Sequence, residues 1–193
     1  QRPETAPQEI QRTGLGDLIP STPALSGADS ILTATGKEYK LKEALEFISK
    51  KYNYDYVIID TPPALGILTI NALTASDYAI IPAQADIYSL QGITQLNNTI
   101  QVVKKYTNQK LEILGIVLTR YNARATLTKE LTDLLEDTAK QLDTKVFKTR
   151  IRENIAVKEA QAVKQNLYTY APKSNASKDY TALVNEIIDA IIF

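Results

Sequence analysis

The 193-residue chain has no cysteine, histidine, methionine or tryptophan. Without cysteine there is no disulfide scaffold, no thiolate metal site and no thiol nucleophile. Without histidine the commonest general base and metal ligand is gone. Any chemistry must run on carboxylates, lysine, backbone amides and a bound metal ion. The 22 basic and 22 acidic side chains cancel, so a nucleic-acid or membrane surface would have to be a local patch. No apolar run reaches membrane-spanning length and no signal peptide is evident, so the expectation is a soluble, cytoplasmic protein. The seven glycines never fall in the G-x-x-x-x-G-K-[ST] pattern that cradles phosphates. The absent initiator methionine and the polar, proline-containing opening, QRPETAP, suggest a start upstream of Gln1.

What is present centres on residues 54–63, YDYVIIDTPP. Four apolar or aromatic residues, Tyr56, Val57, Ile58 and Ile59, run without a polar break into Asp60 and two prolines. Such a run, rich in β-branched residues and closed by turn signals, predicts a strand buried on both faces. Pro62 and Pro63 cannot donate to a ladder, so the strand should end where the acid emerges. The carboxyl edge of an open parallel sheet is where ligands bind, and a lone carboxylate there suits a water-mediated Mg²⁺ ligand beside a triphosphate.

The rest alternates between strand and helix patterns. Residues 1–14 read as a linker or frayed end and residues 15–193 as one domain. Residues 15–21, LGDLIPS, predict a short strand stopped by proline. Leu41, Leu45, Ile48 and Tyr52 fall at helical spacing and predict a helix over 38–51. A second helix is expected over 68–76, a buried strand over 78–82, and a long helix from about Leu90 to Tyr106. Residues 111–119 and 146–151 read as strands, and the leucines between 127 and 142 stripe a helix. Tyr180, Leu183, Val184, Ile187, Ile188 and Ile191 mark the face of a terminal helix. The pattern predicts an α/β fold, a mostly parallel sheet with helices on both faces. Two polar loops follow strands: Thr119, Arg120, Tyr121 and Asn122, and then Arg152, Glu153 and Asn154. They are either ligand loops or merely solvated.

Residues 60–73, DTPPALGILTINAL, resemble the switch II segment of the ParA partition ATPases, in the ParA/MinD branch of P-loop NTPases with a deviant Walker A motif. The resemblance continues through KVFKT at 145–149, NIAVKEA at 154–160 and YAPKS at 170–174, covering roughly residues 15–190 in unbroken order. It implies a P-loop NTPase-like fold, a dimer formed with ATP and Mg²⁺, non-specific DNA binding and a centromere-binding ParB-like partner, on the nucleoid. Asp60 then takes the catalytic, water-mediated Mg²⁺ position. Thr119, Arg120, Arg152, Glu153 and Asn154 fall in the loops that hold the adenine ring. Arg124, Arg150, Arg152 and Lys158 become the DNA-contact candidates, or else an ordinary charged surface. The chain departs from the family in lacking the phosphate loop, its deviant lysine and the D-x-D-P-Q strand. In the loop patterned I-P-R-N-V-R the proline is Arg152 and both arginines are gone. Other readings are a P-loop-less, non-catalytic relative that binds DNA or a partner, and an ATPase of the MinD or bacterial tyrosine kinase type. The tail from Ile187 carries neither a tyrosine cluster nor a cation.

Overall fold

A computed structural model describes residues 2–123 and 126–192. A 3₁₀ helix, Pro3–Gln8, is followed by the hairpin β1 (Gln11–Thr13) and β2 (Gly16–Leu18). Then come α1 (Ala28–Ile31), α2 (Lys40–Ser49), α3 (Ile67–Ala75), β3 (Tyr78–Ala83) and α4 (Ile87–Tyr106). The order closes with β4 (Glu112–Leu118), α5 (Thr126–Gln141), α6 (Ile155–Ala162), α7 (Leu167–Tyr170) and α8 (Asn175–Ile192). The chain forms two compact units, residues 1–77 with 98–111, and residues 78–97 with 112–193. Among the described residues no helix is long and apolar enough to cross a membrane.

In the first unit α3 is the buried element. Its short sequence ILTINALTA is apolar around most of its circumference, and Ile67, Thr69, Asn71, Ala72, Leu73 and Thr74 are all buried. Asn71 satisfies its buried amide fully: Oδ1 accepts from Leu41 N–H at 3.0 Å, and Nδ2 donates to Lys37 C=O and Ile67 C=O, both at 2.9 Å. This side chain ties α3 to the start of α2. At the far end, Asn108 Nδ2 donates to Leu73 C=O in the last turn of α3 and to the C=O of its C-cap, Ser76. The 3₁₀ helix Pro3–Gln8 lies against α2.

Two expectations for this unit are corrected. Residues 15–21 do not form a lone strand; Gly16–Leu18 pairs antiparallel with Gln11–Thr13 in an exposed hairpin. The segment 56–59 is neither paired nor buried: among the described residues no strand hydrogen-bonds to it, and Ile58 is 94% exposed. An apolar run states only that its side chains favour burial. A ladder also needs flanking strands, and none in the first unit pairs with it.

The second unit is built on a parallel pair. β3 and β4 run in register from Tyr78 opposite Glu112 to Ala83 opposite Leu118, with one shift between Ala79 and Ile80. The expected third strand, 146–151, pairs with the same partner only at its ends. Val146 bridges Ile116 and Arg152 bridges Tyr121, both parallel. The break between them has a physical cause: Lys148 and Thr149 donate their N–H groups to the Glu186 carboxylate of α8, at 2.8 and 2.9 Å, instead of to a neighbouring strand. A side chain replaces the ladder there. Leu114, Val117, Phe147, Ile151 and Leu183 form the core between strands and α8, flanked by Tyr180, Ile187, Ala190 and Ile191. The parallel α/β character read from the sequence is what the chain adopts.

Candidate functional site

The two polar loops of the second unit lie side by side. β4 delivers Thr119, whose N–H and Oγ1 both reach Ala83 C=O, at 2.8 and 3.2 Å, locking the ends of the two parallel strands together. The next residue, Arg120, has φ of +49°, a left-handed conformation that costs a non-glycine residue free energy and concentrates at functional turns. Tyr121 N–H then donates to Ile151 C=O at 2.9 Å, and Ile151 N–H to Leu118 C=O at 2.8 Å. These bonds set 119–122 directly against 151–154. Across the junction Arg120 Nη2 is 3.4 Å from Glu153 Oε1, and Lys158 Nζ is 3.6 Å from the same oxygen. Asn154 ends the second loop as the N-cap of α6: its Oδ1 accepts from Ala156 N–H at 2.9 Å. The cap uses the oxygen, so the amide NH₂ can still donate to a ligand.

Behind the loops stand two acids that pattern reading did not single out. Asp179 and Glu186 sit seven residues apart on α8, hence on one side of it. Asp179, 9% exposed, accepts from Arg152 backbone N–H at 3.1 Å, from Nε at 2.9 Å and from Nη2 at 2.6 Å. These bonds from Arg152 hold its carboxyl below the ordinary range against the opposing effect of burial. Burial pushes Glu186 up, but the Thr149 and Lys148 N–H groups, with the Thr149 side chain and the Lys145 charge, together leave that carboxyl lowered too. The available signal was an acid pair at i, i+7 beside the apolar stripe of Tyr180, Leu183 and Ile187.

Both groups titrate lower folded than unfolded, so they stabilise the fold above the unfolded carboxyl range and lose that contribution as pH falls. Urea unfolding midpoints should therefore drop below roughly pH 4. The Asp179→Asn/Glu186→Gln variant should be less stable than the parent at pH 7, with the gap closing toward pH 3. A gap independent of pH would contradict the assignment.

Asp60 belongs to the first unit. It is exposed, at the end of the unpaired apolar segment rather than of a ladder strand. The chain beyond it is tethered: Thr69 Oγ1 donates to Ala64 C=O at 2.6 Å, and Ile67 N–H donates to Asp29 Oδ1 at 2.9 Å. Gly66 passes so close to Asp29 that an added Cβ would lie 2.8 Å from Oδ2, which explains glycine there. Between exposed Asp60 and this anchor lies a short run with no regular structure. Among the described residues no cluster of three or more acids could hold a metal by itself. A single exposed carboxylate fits an ion such as Mg²⁺, which keeps several waters and takes its other ligands from phosphates.

Residues 4–113 match the AAA domain family designated AAA_31. The sporulation initiation inhibitor protein Soj of Bacillus subtilis is 43% identical over 172 residues, 89% of this chain and 66% of Soj. The chromosome partitioning protein ParA of Caulobacter vibrioides is 38% identical over 173 residues, 89% of this chain and 64% of that protein. The chain belongs to the ParA family. It spans just under two-thirds of the length of these relatives. A crystal structure of cobyrinic acid a,c-diamide synthase from Mycobacterium smegmatis, with a bound ATP analogue and magnesium, superposes with a TM-score of 0.67 at 36% identity, over 76% of this chain and 57% of that one.

In this ParA-family chain most of the cations singled out in the sequence are engaged by acids or rings. Arg152 is held by Asp179. Arg150 donates to Tyr121 Oη, lies 4.6 Å over its ring centroid and is 3.6 Å from Glu136. Lys158 shares Glu153 with Arg120. Arg124 lies outside the described residues.

Proposed function

We propose that the protein is a DNA-partition ATPase acting in the cytoplasm on the nucleoid. In this reading residues 15–193 serve in one nucleotide-binding domain, loops 119–122 and 151–154 hold the adenine ring, and Asp60 holds Mg²⁺ through water. The observation that carries it is the junction of the two loops at the carboxyl ends of parallel strands, in a chain of the ParA family. Thr119 and Asn154 offer short polar groups to the ring edge, and Arg120 offers a flat face. When bound, the ion neutralises charge on the phosphates. The chain's own contribution is to grip the base, keep Asp60 on a tethered but exposed segment, and present cations to DNA. A homodimer forming with ATP and a centromere-binding ParB-like partner complete the proposal.

DNA binding gives its test. Arg150, Arg152 and Lys158 would meet phosphate only by exchanging carboxylate partners, with Arg124 as the fourth contact. Fluorescence anisotropy of the full-length protein on a random-sequence duplex should show ATP-dependent binding of similar strength for any sequence. Replacing the four cations by alanine should weaken it uniformly and flatten the slope of log affinity against log salt by about 0.9 per lost contact. An unchanged slope would remove these residues from the interface. Binding indifferent to ATP would favour a non-catalytic relative.

A further inference from the structure

Arginine at 152 poses two problems for a ligand loop: a backbone N–H that needs a partner and a long side chain that needs ordering. A proline at that point would have neither, since it lacks the N–H and fixes φ. Asp179 answers both at once. One carboxylate oxygen takes the Arg152 N–H and Nε, and the other takes Nη2. The carboxylate is buried and the guanidinium half-exposed, so the clamp is anchored on the α8 side. Two turns along α8, Glu186 holds Lys148 and Thr149. On the other flank Ile151 bonds both Leu118 and Tyr121, and Asn154 is fixed as the cap of α6. Arg152 is thus a loop position whose order depends on a side chain from α8. Its backbone lies directly beside Tyr121 of the first loop.

We infer that Asp179 is a positioning residue for nucleotide-base recognition. Through Arg152 it holds loop 151–154 against α8, and so orders the face which that loop turns to the ring. The inference rests on the reading of loops 119–122 and 151–154 as the base site. It also assigns Arg152 a clamping role at the base site rather than contact with the base.

The test uses the full-length protein, with ATP and inorganic tripolyphosphate as calorimetric probes and circular dichroism to confirm folding. Asp179→Ala should weaken ATP about tenfold and leave tripolyphosphate binding unchanged, because only the base contacts are loosened. Asp179→Asn, which still accepts the Arg152 N–H but loses the ion pair, should fall between parent and Asp179→Ala. It also serves if the alanine variant fails to fold. Equal weakening of both probes would mean a general structural role and overturn the inference. So would unchanged ATP affinity in a folded variant while Asn154→Ala weakens ATP. If Asn154→Ala and Thr119→Ala also leave ATP affinity unchanged, the base-site reading itself fails and the inference falls with it.

Discussion

Phe147→Ala should remove about 3–5 kcal/mol of stability, the range for truncating a fully buried phenylalanine. The ring is 1% exposed and sits among Leu114, Val117, Ile151 and Leu183. It lies over Gly115 so closely that a Cβ there would be 2.5 Å from the ring edge, so strand and ring are fitted without spare volume. Its N–H donates to Ile116 C=O, so loss of the ring also loosens the bridge that starts the interrupted third strand. Domains of ordinary stability hold only about 5–15 kcal/mol in total, and the urea midpoint should fall by about 2 M. Gly115→Ala should be destabilising in the same assay, by about 1–3 kcal/mol from overpacking. A Phe147→Ala change under about 1 kcal/mol would mean that the ring is not the keystone of this core.

Asp60→Ala in the full-length protein should lower ATP turnover by about 10²–10³-fold, the scale for losing one group that stabilises developing charge directly or through a metal. Melting temperature should stay unchanged: the side chain is exposed, and among the described residues it makes no hydrogen bond or ion pair. The pairing of lost turnover with intact folding separates a chemical role from a structural one. Turnover within a few-fold of the parent would end the assignment of Asp60.

The helices α2, α3, α4, α5 and α8 were legible because their burial is local in sequence. The spacing of Leu41, Leu45 and Ile48 or of Leu183 and Ile187 names both the element and its inner face, and α2 and α8 follow it. Strands were legible only as far as their partners were. The run at 78–82 finds β4, whereas the equally apolar run at 56–59 lies exposed and unpaired. At 146–151 the apolar pattern predicts a continuous strand, but a carboxylate 37 or 38 residues downstream captures two of its N–H groups. No local window holds that information.

The candidate site shows the same limit. Sequence placed Thr119, Arg120, Glu153 and Asn154 in two loops, and those loops meet. It could not tell that Arg152 was already engaged by Asp179, 27 residues away, or that Asn154 caps a helix as well as facing a loop. Charge on a sequence is visible, but its partner is not.

Photolabelling of the full-length protein with 8-azido-ATP, followed by peptide mapping, tests the central claim most directly. The account predicts ATP-suppressible label on the peptides that contain 119–122 or 151–154, reduced in Asn154→Ala. Suppressible label confined to other peptides would contradict it.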